Sequence, residues 1–317
     1  MFTIEEKPFG KFKEYVLTNT STQEYVSVLS VGATLNQVVL RQNQSLYPLL
    51  DGNDTYEAYV STGRSVYKGT FLFPFANRIE DGQYTFDGST YRLPINLPDE
   101  QHAHHGLMAT EEFECTERYA DALEARLVLS AATDGTVAGY PFHTSIKISF
   151  IFSAAGISIC TEVENTGTKA APVGIGWHPY FRALPEVDGF SLSLPVVAVY
   201  ETNARNLPTG TTLSAVHVAQ LQPVARQHFD TGYRVAATEE GLAEAVLCYP
   251  GSSVRVVVWQ ESGAGKYNFL QVYTPVQRRS IALEPMTSAV NAFNNGIGLL
   301  RLEPGQKQTL TFGIRLA

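Results

Sequence analysis

Two ionisable side chains in this chain stand directly before prolines at the end of apolar runs. Glu284 does so in "SIALEPMTSAV" (280–290) and His178 in "PVGIGWHPYF" (172–181). In the first run Ile281 and Leu283 face one way, and Ala282 and Glu284 the other. In the second, Ile175 and Trp177 oppose Gly176 and His178. A residue before proline is driven toward extended geometry. Proline also removes a ladder donor, so each strand is expected to end or reach an edge there. A carboxylate at the rim of a sheet is a candidate base, and an imidazole placed the same way is a candidate partner in proton transfer. A single strand-end Glu or His is ordinarily a surface residue; a matched pair in one chain weakens that account.

Other segments carry candidate chemistry. In "GTFLFPFANRIEDGQY" (69–84), Asn77-Arg78 follows a strongly apolar run. An arginine so close to a core-like segment needs a carboxylate or a cluster of ligand hydroxyls, because unpaired buried charge is costly. A structural ion pair explains it equally well. "DEQHAHHGLM" (99–108) holds His102, His104 and His105. An H-x-H pair suggests a metal site of the cupin kind, but Glu111 lies further along than that pattern prefers. His102 and His104 are therefore read as loop or surface residues, and no metal is assigned. In "ARQHFDTGYRV" (225–235), Asp230 falls in a polar turn, where aspartate commonly bonds local backbone.

The elements that must position these residues are short strands. "YVSVLSV" (25–31), "ISICTEVEN" (157–165), "SVRVVVWQ" (253–260), "NFLQVYT" (268–274) and "TLTFGIRL" (309–316) are rich in β-branched and aromatic residues, several alternating with period 2. Asp87-Gly88 in "GQYTFDGSTYRL" (82–93) is a hairpin signal. "NDTYEAYVST" (53–62) reads as a helical turn or two, and no long segment has a 3.6-residue apolar period. Many strands with regular turns predict an all-β chain, a large sandwich of antiparallel sheets. No linker, charge block or repeat divides it, so residues 1–317 are read as one domain.

Bulk composition narrows the function classes. The 317 residues carry 44% hydrophobic and 17% charged side chains, an ordinary globular balance. A net charge of −8 argues against a nucleic-acid partner, which requires a basic footprint. Cys115, Cys160 and Cys248 are scattered and odd in number, which suggests reduced thiols and a cytoplasmic setting. "MFTIEEKPFG" has no apolar signal region, and no run approaches the roughly 18 residues of a membrane span.

Taken in order, these segments resemble the aldose 1-epimerase (mutarotase) family over nearly the whole chain. "NRIEDGQYTFDG", "HHG" at 104–106, "GWHPYF", "FDTGY", "LEPMTSAVNAFNNG" and the closing "LEPGQKQTLTFGIRL" each match a family segment. The resemblance implies a galactose mutarotase-like β-sandwich with an open sugar cleft, a free aldose as partner, and no cofactor, metal or membrane; the chain is expected as a monomer or homodimer. It implies Glu284 as general base on the anomeric hydroxyl and His178 as general acid at the ring oxygen. His105 would assist at that oxygen, Arg78 and Asp230 would hold sugar hydroxyls, and Asn77 would support the site. A nearby carboxylate is expected to raise the His178 pKa. The family's H-G-G is here His105-Gly106-Leu107, and Trp177 and Arg182-Ala183 replace residues common in galactose-specific members. Sugar preference is therefore open. Alternatives are a hexose-6-phosphate epimerase using Arg278-Arg279, a glycoside hydrolase using Glu284 and Asp230, a non-catalytic carbohydrate-binding protein, and a metal-dependent isomerase.

Overall fold

Each β-rich run named above is a strand in the computed structural model, which describes residues 1–183 and 185–317. Among the described residues, nine strands form one antiparallel sheet. Its centre is His143–Ser153, Gly156–Asn165, Lys307–Leu316 and Arg255–Glu261. A second antiparallel sheet runs from Pro208–Ser214 through Val196–Thr202, Asp230–Val235, Phe269–Tyr273 and Ser280–Met286 to Gly176–Trp177 and Phe71–Leu72. Residues 2–48 add a five-stranded meander.

Period-2 alternation builds the core between the two large sheets. Ile157, Ile159, Leu310, Phe312 and Ile314 of the first pack in one cluster with Trp177, Leu270, Val272, Ile281 and Leu283 of the second. Trp177 stacks on Phe312 at 5.0 Å, and Phe71 meets Phe150 edge-on at 5.9 Å. Each such side chain contributes on the order of 1.5–3 kcal/mol by burial. The chain is thus an all-β antiparallel sandwich. The 53–62 segment holds one short helix, Tyr56–Ser61, capped by the Thr55 hydroxyl. The hairpin at 82–93 forms as expected, with Asp87 and Gly88 both at positive φ (48° and 75°), as its tight turn requires. No helix among the described residues is long and apolar enough to cross a membrane.

One expectation needs correction. The Glu284 strand does not stop before Pro285; it runs Ser280–Met286. Thr287 donates its N–H to the Ile175 carbonyl, and the Arg279 carbonyl accepts from Ala183. Odd-numbered residues here therefore turn their backbone toward Gly176–Trp177 and Tyr180–Arg182. Between those two short strands the ladder is interrupted at His178-Pro179. Pro285 turns its missing N–H into that seam, where no donor is required. The His178 backbone instead bonds the other way, to Thr70 and Gly69.

Candidate active site

The seam opens beneath a cavity of about 320 Å³, and Glu284, His178, His105, Arg78, Asn77 and Asp230 all line it. Glu284 sits mid-strand on the cavity face of Ser280–Met286, opposite Gln271 in the ladder, and is 1% exposed. His178 Nε2 lies 3.5 Å from Glu284 Oε1. The His178 ring is held between Tyr180, stacked at 4.9 Å, and Tyr67 at 6.5 Å. The Tyr180 hydroxyl donates to the Val66 carbonyl.

The opposite wall is a two-stranded ribbon in which Arg78–Glu80 pairs with His102–His104. Asn77 and His105, just beyond it, both adopt left-handed backbone (φ 60° and 59°). They lock each other: the His105 N–H donates to the Asn77 carbonyl at 3.0 Å, and the Asn77 N–H donates to His105 Nδ1 at 3.2 Å. With Nδ1 accepting, the neutral ring carries its proton on Nε2. Gly106 follows at φ 77°, and a Cβ there would lie 2.4 Å from the Phe73 carbonyl oxygen, so the H-G step admits only glycine. Strained backbone of this kind gathers at functional sites.

Arg78 has the partner that its burial demands. Its Nε donates to Glu100 at 2.6 Å and its Nη2 to the other Glu100 oxygen at 3.2 Å; Nη1 donates to Asn77 Oδ1 at 3.0 Å. Asp230 lies 3.8 Å from Nη2 and accepts from Gln271 Nε2 at 2.8 Å. It opens the strand Asp230–Val235 rather than lying in a turn.

Burial governs the ionisation of this site. It pushes the Glu284 carboxyl well above the ordinary carboxylate range, helped by the charge of Asp230 and opposed by Arg78. It lowers His178 to about 4, contrary to the expected rise. Desolvation disfavours the imidazolium more strongly than a backbone hydrogen bond supports it. His105 and His104 are also held well below their ordinary value, by burial and then by neighbouring imidazole and guanidinium charge. Burial therefore favours the pair with its one proton on Glu284 over the ion pair of carboxylate and imidazolium. His178 Nδ1, Glu284 Oε2 and Gln271 Oε1 are buried and lack a hydrogen-bond partner among the described residues. Buried polar atoms without partners are rare, and all three belong to residues that line the cavity.

The model of the aldose 1-epimerase family matches residues 13–315. The chain belongs to the aldose 1-epimerase family. An uncharacterised protein of Escherichia coli K12, YihR, is 32% identical over 78% of each chain. Bovine galactose mutarotase is 23% identical over 80% of this chain and 72% of its own. A galactose mutarotase-like protein of Clostridium acetobutylicum superposes with a TM-score of 0.85 at 18% identity, over 100% of this chain and 98% of that one.

Within this member of the family, several sequence readings change. His102 and His104 are neither loop nor surface residues. His102 is fully buried, with its ring nitrogens against Arg205, and His104 lines the cavity. Their short ribbon escapes notice because three residues show no period. Arg278 is tied to Asp188 and to the Gln227 and Ala225 carbonyls. Trp177, Phe181 and Phe73 go to the core, while Tyr180 lines the cavity. Glu100, Gln271, Tyr67 and Tyr273 also line it and were not singled out. For Glu100 a signal existed: the unpartnered Arg78 called for a carboxylate.

Proposed function

We propose that this protein is a mutarotase, interconverting the α and β anomers of a free aldose. The observation that carries the reading is the buried Glu284–His178 pair, 3.5 Å apart, on the floor of a polar cavity. The pair's one proton passes from Glu284 to His178 across their 3.5 Å contact. The Glu284 carboxylate so formed takes the proton of the anomeric hydroxyl, whose O–H electrons form the C1 carbonyl. The C1–ring oxygen bond breaks, and the ring oxygen takes the proton of His178. Rotation about the C1–C2 bond presents the other carbonyl face, and closure runs both transfers backward. The pair begins and ends with the same single proton. Each positioned group contributes about 10²–10⁴-fold.

The other lining residues have supporting parts. Neutral His105 donates from Nε2 toward the ring oxygen. Arg78 and Asp230 hold sugar hydroxyls, and Asn77 fixes both Arg78 and His105. Polarimetry of freshly dissolved α-glucose and α-galactose tests the reading. Wild type should speed the approach to equilibrium, and Glu284→Gln should leave a folded protein near the buffer rate. A Glu284→Gln protein with the wild-type rate would remove the carboxylate from the mechanism.

A further inference from the structure

The cavity over Glu284 and His178 does not stand alone. A second cavity of about 470 Å³ adjoins it, and Val66, Tyr180 and Tyr273 line both. The second is the larger of the two, and each falls within the roughly 300–1,000 Å³ typical of small-molecule sites. Tyr180 is the ring stacked on His178, so the shared sill stands directly beside the reacting pair.

The walls of the second cavity have the chemistry of a sugar subsite. Tyr180, Tyr273 and Val276 supply apolar surface, and Val276 is 83% exposed on the loop between Phe269–Tyr273 and Ser280–Met286. Lys68 and Asp51, paired at 2.9 Å, offer both donors and acceptors, and Arg279 adds a planar donor fork. An apolar face with a few placed polar groups suits a pyranose, which presents C–H on its faces and hydroxyls at its edge. The opposed charges of Asp51 and Lys68 do not make an anion site.

We infer that the second cavity binds a further sugar unit, so that the preferred substrate is a reducing disaccharide whose hemiacetal end meets Glu284 and His178. The inference rests on the mutarotase reading. Anomer exchange by NMR, with buffer rates subtracted, tests it over glucose, galactose, glucose 6-phosphate and the 1→4- and 1→6-linked disaccharides maltose, lactose, isomaltose and melibiose. At least one disaccharide should exceed its reducing monosaccharide tenfold or more in kcat/KM. Val276→Asp and Arg279→Ala should each erase that advantage and leave the monosaccharide rate unchanged. Monosaccharide exchange without any disaccharide advantage, or an advantage untouched by both variants, overturns the inference and leaves the mutarotase reading standing. A preference for glucose 6-phosphate that Arg279→Ala abolishes overturns it in favour of an anionic substituent. No acceleration of any sugar overturns both.

Discussion

Lowering the pH from 7 to 5 should scarcely slow this protein, although its proposed acid is a histidine. In the free protein the pair works with one proton, and a second proton disables the base. That second proton goes to His178, which burial holds at about 4. The gap from the ordinary value of about 6.5 corresponds to about 3.4 kcal/mol against the buried imidazolium. At pH 5, about nine tenths of the sites then keep the working proton count, against about 3% if His178 titrated at its ordinary value. The two cases differ about thirtyfold. The quantity to follow is kcat/KM for anomer exchange, because it reports the free protein. Polarimetry with the buffer rate subtracted at each pH provides it, with circular dichroism to verify the fold. Stability declines over a wider window, beginning at about pH 6.5. The unfolded chain takes up the proton first, so the contribution of neutral His178 is intact above about 6.5 and lost as pH falls through about 4. An acid limb near 6.5, with activity lost at pH 5 while the fold persists, would refute the reasoning.

Three further outcomes are expected. Glu284 has a raised folded-state pKa, so its stability contribution is present at low pH and lost as pH rises through the folded value. Glu284→Gln should therefore melt higher than wild type at pH 8, and an unchanged or lower Tm contradicts this. Asn206 Nδ2 donates to Glu100 Oε1 at 3.2 Å, steadying the carboxylate that grips Arg78. Asn206→Ala should raise KM about fivefold, the equivalent of ~1 kcal/mol, with kcat nearly unchanged; a loss confined to kcat argues against this support. Trp177 is fully buried, stacked on Phe312, and donates to the Gly69 carbonyl at 2.9 Å. Trp177→Ala should cost about 3–5 kcal/mol, read as a lower denaturant midpoint at unchanged slope.

The strands and the hairpin were legible because alternation and turn chemistry are local. The cavity-lining positions of Glu284 and His178 were legible through proline, which marks where a backbone donor is dispensable. The consequence drawn from proline was incomplete: a seam inside a sheet satisfies the same condition as a strand end, so Ser280–Met286 runs through Pro285. Residues whose place depends on pairing distant in sequence were not legible. Gln271 reaches the cavity only because Phe269–Tyr273 lies beside the Glu284 strand, and Glu100 only because a loop returns to Arg78. The direction of the His178 pKa was illegible for the same reason, since burial depends on every wall of the cavity.

The account turns on the pairing of Glu284 with His178 across a hemiacetal. Magnetisation exchange between the anomeric protons of an equilibrated aldose, recorded for wild type, His178→Ala and Glu284→Gln, tests it most directly. Wild type should exchange the two anomers far faster than buffer at an unchanged α:β ratio, and each variant should fall back by about two orders of magnitude or more. Wild-type exchange in either variant would contradict it.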